Sequence, residues 1–339
     1  MRHRTYSATV TLLAALLLAP AAVAGAAETL MMDNGDRLQG RLLRMSDNVL
    51  EFETDYAGKI RVNWSNVREI RSDGTFDVCL PESEVISVRS LTRQNDQVLL
   101  DGQREQASNV TQINPADWET GKKSRFSGEL DTAVKLERGN THENRTDVTS
   151  RMEWNKMRHR IQLAGKIEHS DNNSAVTIDN WSIESSYDNT HAKRSYFGAR
   201  TSLKSDGMSD LNLRWATGPH IGFRFIESSR TALNAETGME YTSENYRSQP
   251  LDTFLSESWR VEFTHFLIPG KLELYHRDSG RFNLTNTRRI SFDTWNGVKL
   301  PIAGGLNTSA EIKTAYDGDA PPDVQSLDLV YWLRVGYQW

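Results

Sequence analysis

The stretch LNLRWATGPHIGFRF, residues 211–225, decides the fold. Leu211, Leu213, Trp215, Pro219, Ile221, Phe223 and Phe225 share one parity, while Asn212, Arg214, Gly218, His220, Gly222 and Arg224 take the other. Side chains alternate across a strand with period two, so the stretch predicts one strand with an apolar and a polar face. At about 17 residues it is too long for an ordinary sandwich but suits a tilted strand that overhangs a bilayer.

The same alternation recurs on both sides of it. Phe126, Gly128, Leu130, Thr132, Val134 and Leu136 oppose Glu129, Asp131, Lys135 and Glu137. Ile161, Leu163, Gly165 and Ile167 repeat the split, as do Trp259, Val261, Phe263, His265 and Leu267, and then Leu306, Thr308, Ala310, Ile312 and Tyr316. Twelve segments are predicted within residues 123–339, near 124–137, 146–155, 159–169, 177–188, 193–204, 209–227, 231–242, 252–267, 271–277, 288–299, 305–316 and 327–339. Connections alternate in length. Those near Asn155–Arg158, Asp188–Lys193, Ser228–Arg230, Ile268–Gly270 and Leu300–Gly304 are mostly short, whereas Arg138–Arg145, Tyr241–Leu251, Arg277–Thr287 and Asp317–Gln325 are longer and polar. Short turns at one end, long loops at the other and an even strand count predict an antiparallel up-and-down transmembrane β-barrel.

The chain closes on Leu327, Leu329, Tyr331, Leu333, Val335, Tyr337 and Trp339, apolar at every second position. Tyr337 and Trp339 are expected to form the C-terminal signal read by the barrel-assembly machinery. That machinery and outer-membrane lipid are the expected partners.

At the other end, Arg2 and Arg4 precede the apolar run Ala8–Leu18, and Ala-x-Ala patterns follow at Ala22–Ala24 and Ala24–Ala26. This is the layout of a secretory signal peptide, expected over residues 1–26. Cys79 is the sole cysteine, so no disulfide can form within the chain, and a buried small hydrophobe is expected there. The net charge of −5 spreads over both signs, and no basic patch points to nucleic acid.

Residues 28–116 are expected to form a small periplasmic β domain. Asn34-Gly35 predicts a hairpin turn between Leu30–Met32 and Leu38–Leu43. Two echoes suggest two short repeats: Asp47-Asn48-Val49-Leu50 against Asp96-Gln97-Val98-Leu99, and Ser65–Ile70 against Ser108–Ile113.

On these residues the chain resembles the YdiY-like, salt-induced outer-membrane proteins, domain-of-unknown-function family 481. The resemblance is carried by Gly35-Asp36-Arg37-Leu38-Gln39-Gly40, the turn Thr54–Gly58, Ile113-Asn114-Pro115, Gly139-Asn140-Thr141, Tyr316-Asp317 with Pro321-Pro322, and the aromatic end. It implies an outer-membrane barrel of a Gram-negative envelope, in some members linked to salt or envelope stress, and supplies no activity or site residue.

The inward parity is expected to place charge of both signs in the lumen. Its principal members are Arg151, Glu153, Lys166, Glu168, Arg200, Arg214 and Arg224, followed by Glu236, Arg260, Glu262, Glu311, Lys313 and Arg334. Glu129, Asp131, Glu240, Lys271, Glu273, Asp293, Lys299 and Asp328 join them. Such groups either line a wet channel or pair across it. Buried charges need partners, so a narrow or occluded lumen is the favoured expectation. The expected function is non-enzymatic: limited passage of small solutes or ions, or a structural role in osmotic or salt stress.

The alternative is a lipid-modifying barrel enzyme of phospholipase type, which needs a His and a Ser on one strand face. His276 and Ser279 come nearest, but a spacing of three sets them on opposite faces of a regular strand. His265 is expected at the lipid interface, and His142 and His169 on solvated surface. Asp317, Asp319 and Asp323 form an acidic loop without the spacing of a calcium site. No cofactor and no metal are therefore expected.

Overall fold

The structure, a computed structural model, describes residues 28–81, 84–137, 143–172, 175–191, 194–207, 210–228, 230–248, 250–286, 289–318 and 326–339. The expected signal peptide, His142, Asp319 and Asp323 lie outside them. Two compact units divide between Pro115 and Ala116.

The first unit comprises β1 (Glu28–Met32), β2 (Arg37–Ser46), β3 (Val49–Thr54), β4 (Gly58–Asn63), β5 (Val67–Cys79), β6 (Val85–Gln94), β7 (Gln97–Leu100), β8 (Gln103–Gln106) and β9 (Gln112–Ile113). Their order is β4-β3-β2-β1-β5-β6-β7-β8, with β9 pairing both β2 and β5. Asn34-Gly35 makes the β1–β2 turn, Gly35 adopting a φ of 92° that favours glycine. The sequence echoes are also structural. Each follows a hairpin, β3–β4 or β7–β8, with a single 3₁₀ turn, Trp64–Asn66 or Ala107–Asn109, and then a strand. The strand after the turn then reaches the other repeat: Ile70 of β5 pairs with Leu91, and Ile113 of β9 with Met45. Phe52, Leu50 and Ile70 from the first repeat share one buried cluster with Leu91, Val98 and Ile113 from the second. Neither repeat covers its apolar face alone, which is why the two are built as one sheet.

Asp101 ties β6 to the turn after β7. Its carboxylate accepts hydrogen bonds from the backbone N–H of Arg89 and Ser90 and from the Ser90 hydroxyl. These bonds, the Arg89 N–H first, hold its pKa below the usual aspartate value. Cys79 is half-buried at the end of β5, where full burial was expected. A strand terminus leaves one side of a side chain open.

The second unit is a closed barrel of twelve antiparallel strands. They are β10 (Arg125–Glu137), β11 (Glu143–Lys156), β12 (His159–Asn172), β13 (Ala175–Thr190), β14 (Ser195–Asp206), β15 (Leu211–Glu227), β16 (Thr231–Tyr246), β17 (Asp252–Ile268), β18 (Leu272–Asn283), β19 (Ile290–Pro301), β20 (Leu306–Asp317) and β21 (Leu327–Gln338). All twelve predicted segments are present. Several run past their sequence pattern into stretches expected to be loops, β16 and β18 furthest. β16 continues to Tyr246 because Glu244 stays in register with Asp252, although the polar run beyond Tyr241 shows no alternation. β18 continues to Asn283, its pairing with β17 holding as far as Asn283↔Ser256, although polar Asp278 breaks the apolar series on its outer face. Lys271, expected to face inward, lies in the β17–β18 turn and is exposed.

The ring closes through a short seam. β10 and β21 share four register pairs, from Glu129↔Gln338 to Thr132↔Val335, where β10 and β11 share a ladder along all of β10. Trp339 extends the seam: its N–H donates to the Gly128 carbonyl (3.0 Å) and its carbonyl accepts from the Gly128 N–H (3.1 Å). The indole lies where Gly128 has no side chain. Phe126 and Tyr337 flank it, with ring centroids 6.5 and 6.1 Å away.

Candidate functional site

Strand alternation in a closed ring leaves one parity of every strand facing the lumen. Arg151, Lys166, Glu168, Arg214, Arg260, Glu262, Glu311, Lys313 and Arg334 line an internal cavity of about 340 Å³. Glu153 accepts from Gln162 (2.9 Å), a residue of the same lining. Arg200, Glu236 and Arg224 belong to a cluster toward the end with the short turns. There Arg200 bonds Glu236, the Tyr196 hydroxyl donates to Glu236 (2.7 Å), and the guanidinium groups of Arg160 and Arg224 stack on the Tyr196 ring at 4.8 and 5.1 Å. Tyr337 and Trp339 lie on the outer wall at the seam, away from the lumen.

The closure of the ring brings together charges that are distant in the chain. Arg151 of β11 and Glu262 of β17 stand six strands apart, on opposite walls, and meet at 3.5 Å. Arg260 reaches Glu184 of β13 at 2.5 Å, and Lys299 of β19 bonds Glu129 of β10. Toward the long loops Glu244 accepts from both Arg214 (2.5 Å) and Arg289 (3.2 Å). The lumen is thus crossed near mid-height by side chains from facing walls, and neither sign of charge forms a continuous lining.

Sequence reasoning left several members of this network out of the candidate set: Arg145, Asp147, Arg160, Glu184, Asp188, Tyr196 and Arg277. Most sit on the same parity as residues that were chosen, Asp147 two turns of the pleat from Arg151, so extending the parity to the strand ends finds them. The partners themselves follow no local pattern.

Arg334 is the tightest node. It is 4% exposed, bonds the fully buried Asp147, and donates to Glu311 at 3.2 Å. Lys166 also approaches Asp147, at 3.3 Å. Removing one partner of a buried pair strands the other's charge, at about 3–5 kcal/mol. Arg334→Met is therefore expected to lower the unfolding free energy by roughly that amount, measured by urea titration of the refolded chain. An unchanged midpoint would mean water has already replaced the pair.

The histidine chemistry expected of an enzyme is not assembled at the nearest candidate. Ser279 lines the lumen cavity, while His276 is on the outer face of β18, where Nδ1 lies 2.8 Å from Asn296 Oδ1. His265 sits by the short turns, bonded to the Thr231 hydroxyl (2.8 Å) and stacked on Phe263. His169 is half-exposed, 3.9 Å from Asp179. Among the described residues no group of three His, Cys, Asp or Glu is placed to hold a metal ion.

The outer wall has the opposite character. Leu333 is 79% exposed, Tyr331 70% and Ile221 64%, and exposed apolar side chains continue around the ring on every barrel strand but β11, where Met152 and Trp154 are half-buried. Contiguous apolar surface on this scale marks contact with a non-aqueous phase or another protein.

The sequence model of the family described as protein of unknown function, DUF481, matches residues 130–339. No curated protein matches the chain. Solved structures similar to the chain include an outer membrane channel from Pseudomonas putida F1, at 10% identity and a TM-score of 0.41, covering 66% of this chain and 99% of that one. The NanC porin is similar at 8% identity and a TM-score of 0.39, covering 62% of this chain and 97% of its own.

Proposed function

We propose, for a chain that belongs to the DUF481 family of proteins of unknown function, a non-enzymatic role as an outer-membrane β-barrel that restricts passage to small solutes or ions. The N-terminal unit, in this reading, stands in the periplasm. One observation carries the restriction: the meeting of Arg151 and Glu262 from opposite walls, at 3.5 Å. The apolar outer wall supports the membrane placement, because a closed barrel satisfies every backbone ladder internally while presenting hydrocarbon outward. The basic, apolar and small-residue order of residues 1–26 supports export, and Tyr337 and Trp339 support recognition by the assembly machinery. Balanced charge along the lumen favours weak ion selectivity. A structural contribution under osmotic or salt stress is compatible with a wall tied together by so many ion pairs.

Planar-bilayer recording of the refolded full chain tests this reading. Small, weakly selective conductance steps are expected. Large steps of porin size would overturn the restriction, and a flat trace would leave only the structural role. A mobility difference between boiled and unboiled samples on a gel is the accompanying check that the barrel has formed.

A further inference from the structure

Near its middle the apolar wall is interrupted by a polar strip that includes ionisable groups. β18 and β19 place His276, Asp278, Thr294 and Asn296 on the face opposite the lumen, near the middle of both strands. Asp278 accepts from the Trp259 indole N–H (2.6 Å) and from the Thr294 hydroxyl (2.6 Å). Trp259 reaches it by lying over Gly280, where a Cβ would sit 2.2 Å from the ring. Elsewhere on the outer face, among the described residues, the ionisable side chains of Lys156, His159, His169, Asp179 and His265 stand at or near strand ends, where water is close. Glu257, on the adjoining β17, is the other acid within the body of the wall. Acids turned toward hydrocarbon are costly and persist where protein, not lipid, covers them.

We infer that this strip is where two copies of the chain pair side by side in the membrane, an inference that rests on the membrane reading above. A two-fold axis along the membrane normal, passing between β18 and β19, sets β18 of each copy against β19 of the other. His276 and Asn296 are register partners, as are Asp278 and Thr294, so the operation returns the same two combinations across the contact. The imidazole meets a side-chain amide, and the carboxylate meets a hydroxyl. Each column supplies what the other needs, the self-complementarity that an isologous contact demands. Leu274 and Ile312 flank the strip with exposed apolar surface to pack around it. An unrelated partner would have to bring its own matching columns, whereas a second copy already carries them.

The test is oxidative cross-linking with copper-phenanthroline in outer membranes containing the full chain with Cys79→Ser. Asn296→Cys is expected to give a disulfide-linked homodimer. Leu163→Cys, exposed on β12 at the opposite side of the ring, is expected to stay monomeric. Asp278→Leu added to Asn296→Cys is expected to abolish the dimer while retaining the heat-modifiable mobility of a folded barrel. Equal cross-linking at both positions, an adduct with a different protein, or a dimer that survives Asp278→Leu would each overturn the inference. His276→Cys, its register partner on β18 beside the same axis, replaces Asn296→Cys if that variant loses the folded mobility. Absence of the chain from the membrane fraction would instead count against the membrane reading, so the two failures are told apart.

Discussion

Replacing Arg151 and Glu262 together by serine is expected to raise the single-channel conductance of the refolded barrel several-fold with little effect on its stability. The two side chains form the diametric bridge, and truncating both leaves neither charge stranded. They are 41% and 31% exposed, so water already solvates them and their mutual attraction contributes modestly to folding. The single variants carry a sign. Glu262→Ser leaves Arg151 without its partner beside Arg260 and Arg277, whose acids Glu184 and Glu129 stay in place, and is expected to shift preference toward anions. Arg151→Ser removes the guanidinium paired with Glu262 and is expected to shift preference toward cations. Reversal potentials under a potassium chloride gradient read both. Conductance and selectivity unchanged in all three variants would place the constriction elsewhere in the lumen.

The second large effect concerns closure. Gly128→Leu is expected to prevent the barrel from forming, because a Cβ at that position would lie 2.4 Å from the Trp339 ring. Elsewhere a strand could tolerate the shift by yielding a little. At the seam only four register pairs hold β10 to β21, and Trp339 itself carries two further backbone bonds to Gly128. Heat-modifiability after refolding in lipid is the measurement, with loss of the fast-migrating band expected. Trp339→Ala removes the obstructing ring and is expected to restore that band when combined with Gly128→Leu in vitro. In cells the double variant is expected to remain poorly assembled, since the terminal aromatic is then missing. Recovery in both settings would count against the proposed role of Trp339 as an assembly signal.

Most of the architecture was legible because it is written locally. Leu211 to Phe225 announces its own strand and its own two faces, and each neighbour pairs with the next in sequence, so twelve local readings give a ring. Legibility failed where local chemistry and fold diverge. The extension of β18 to Asn283 passes through Asp278, a residue that belongs in a loop by pattern and sits in a strand because β17 and β19 hold it there. The reciprocal crossing of β5 and β9 between the two N-terminal repeats was equally invisible, since nothing in Ile70 or Ile113 names Leu91 or Met45 as its partner.

Apart from Lys271 at the β17–β18 turn, the sequence by itself determined which of the expected lumen residues share the inward parity, because alternation with period two is a property of the strand alone. It also determined that the lumen would hold charges of both signs. Only the tertiary structure decided which of them meet. Lys299 finds Glu129 from 170 positions away, and Arg334 finds Asp147 from 187. Those encounters depend on strand stagger and on the closing of the ring, which set the height and angle of every inward side chain. No window of sequence contains either quantity. The difference between a bridged lumen and an open one rests there.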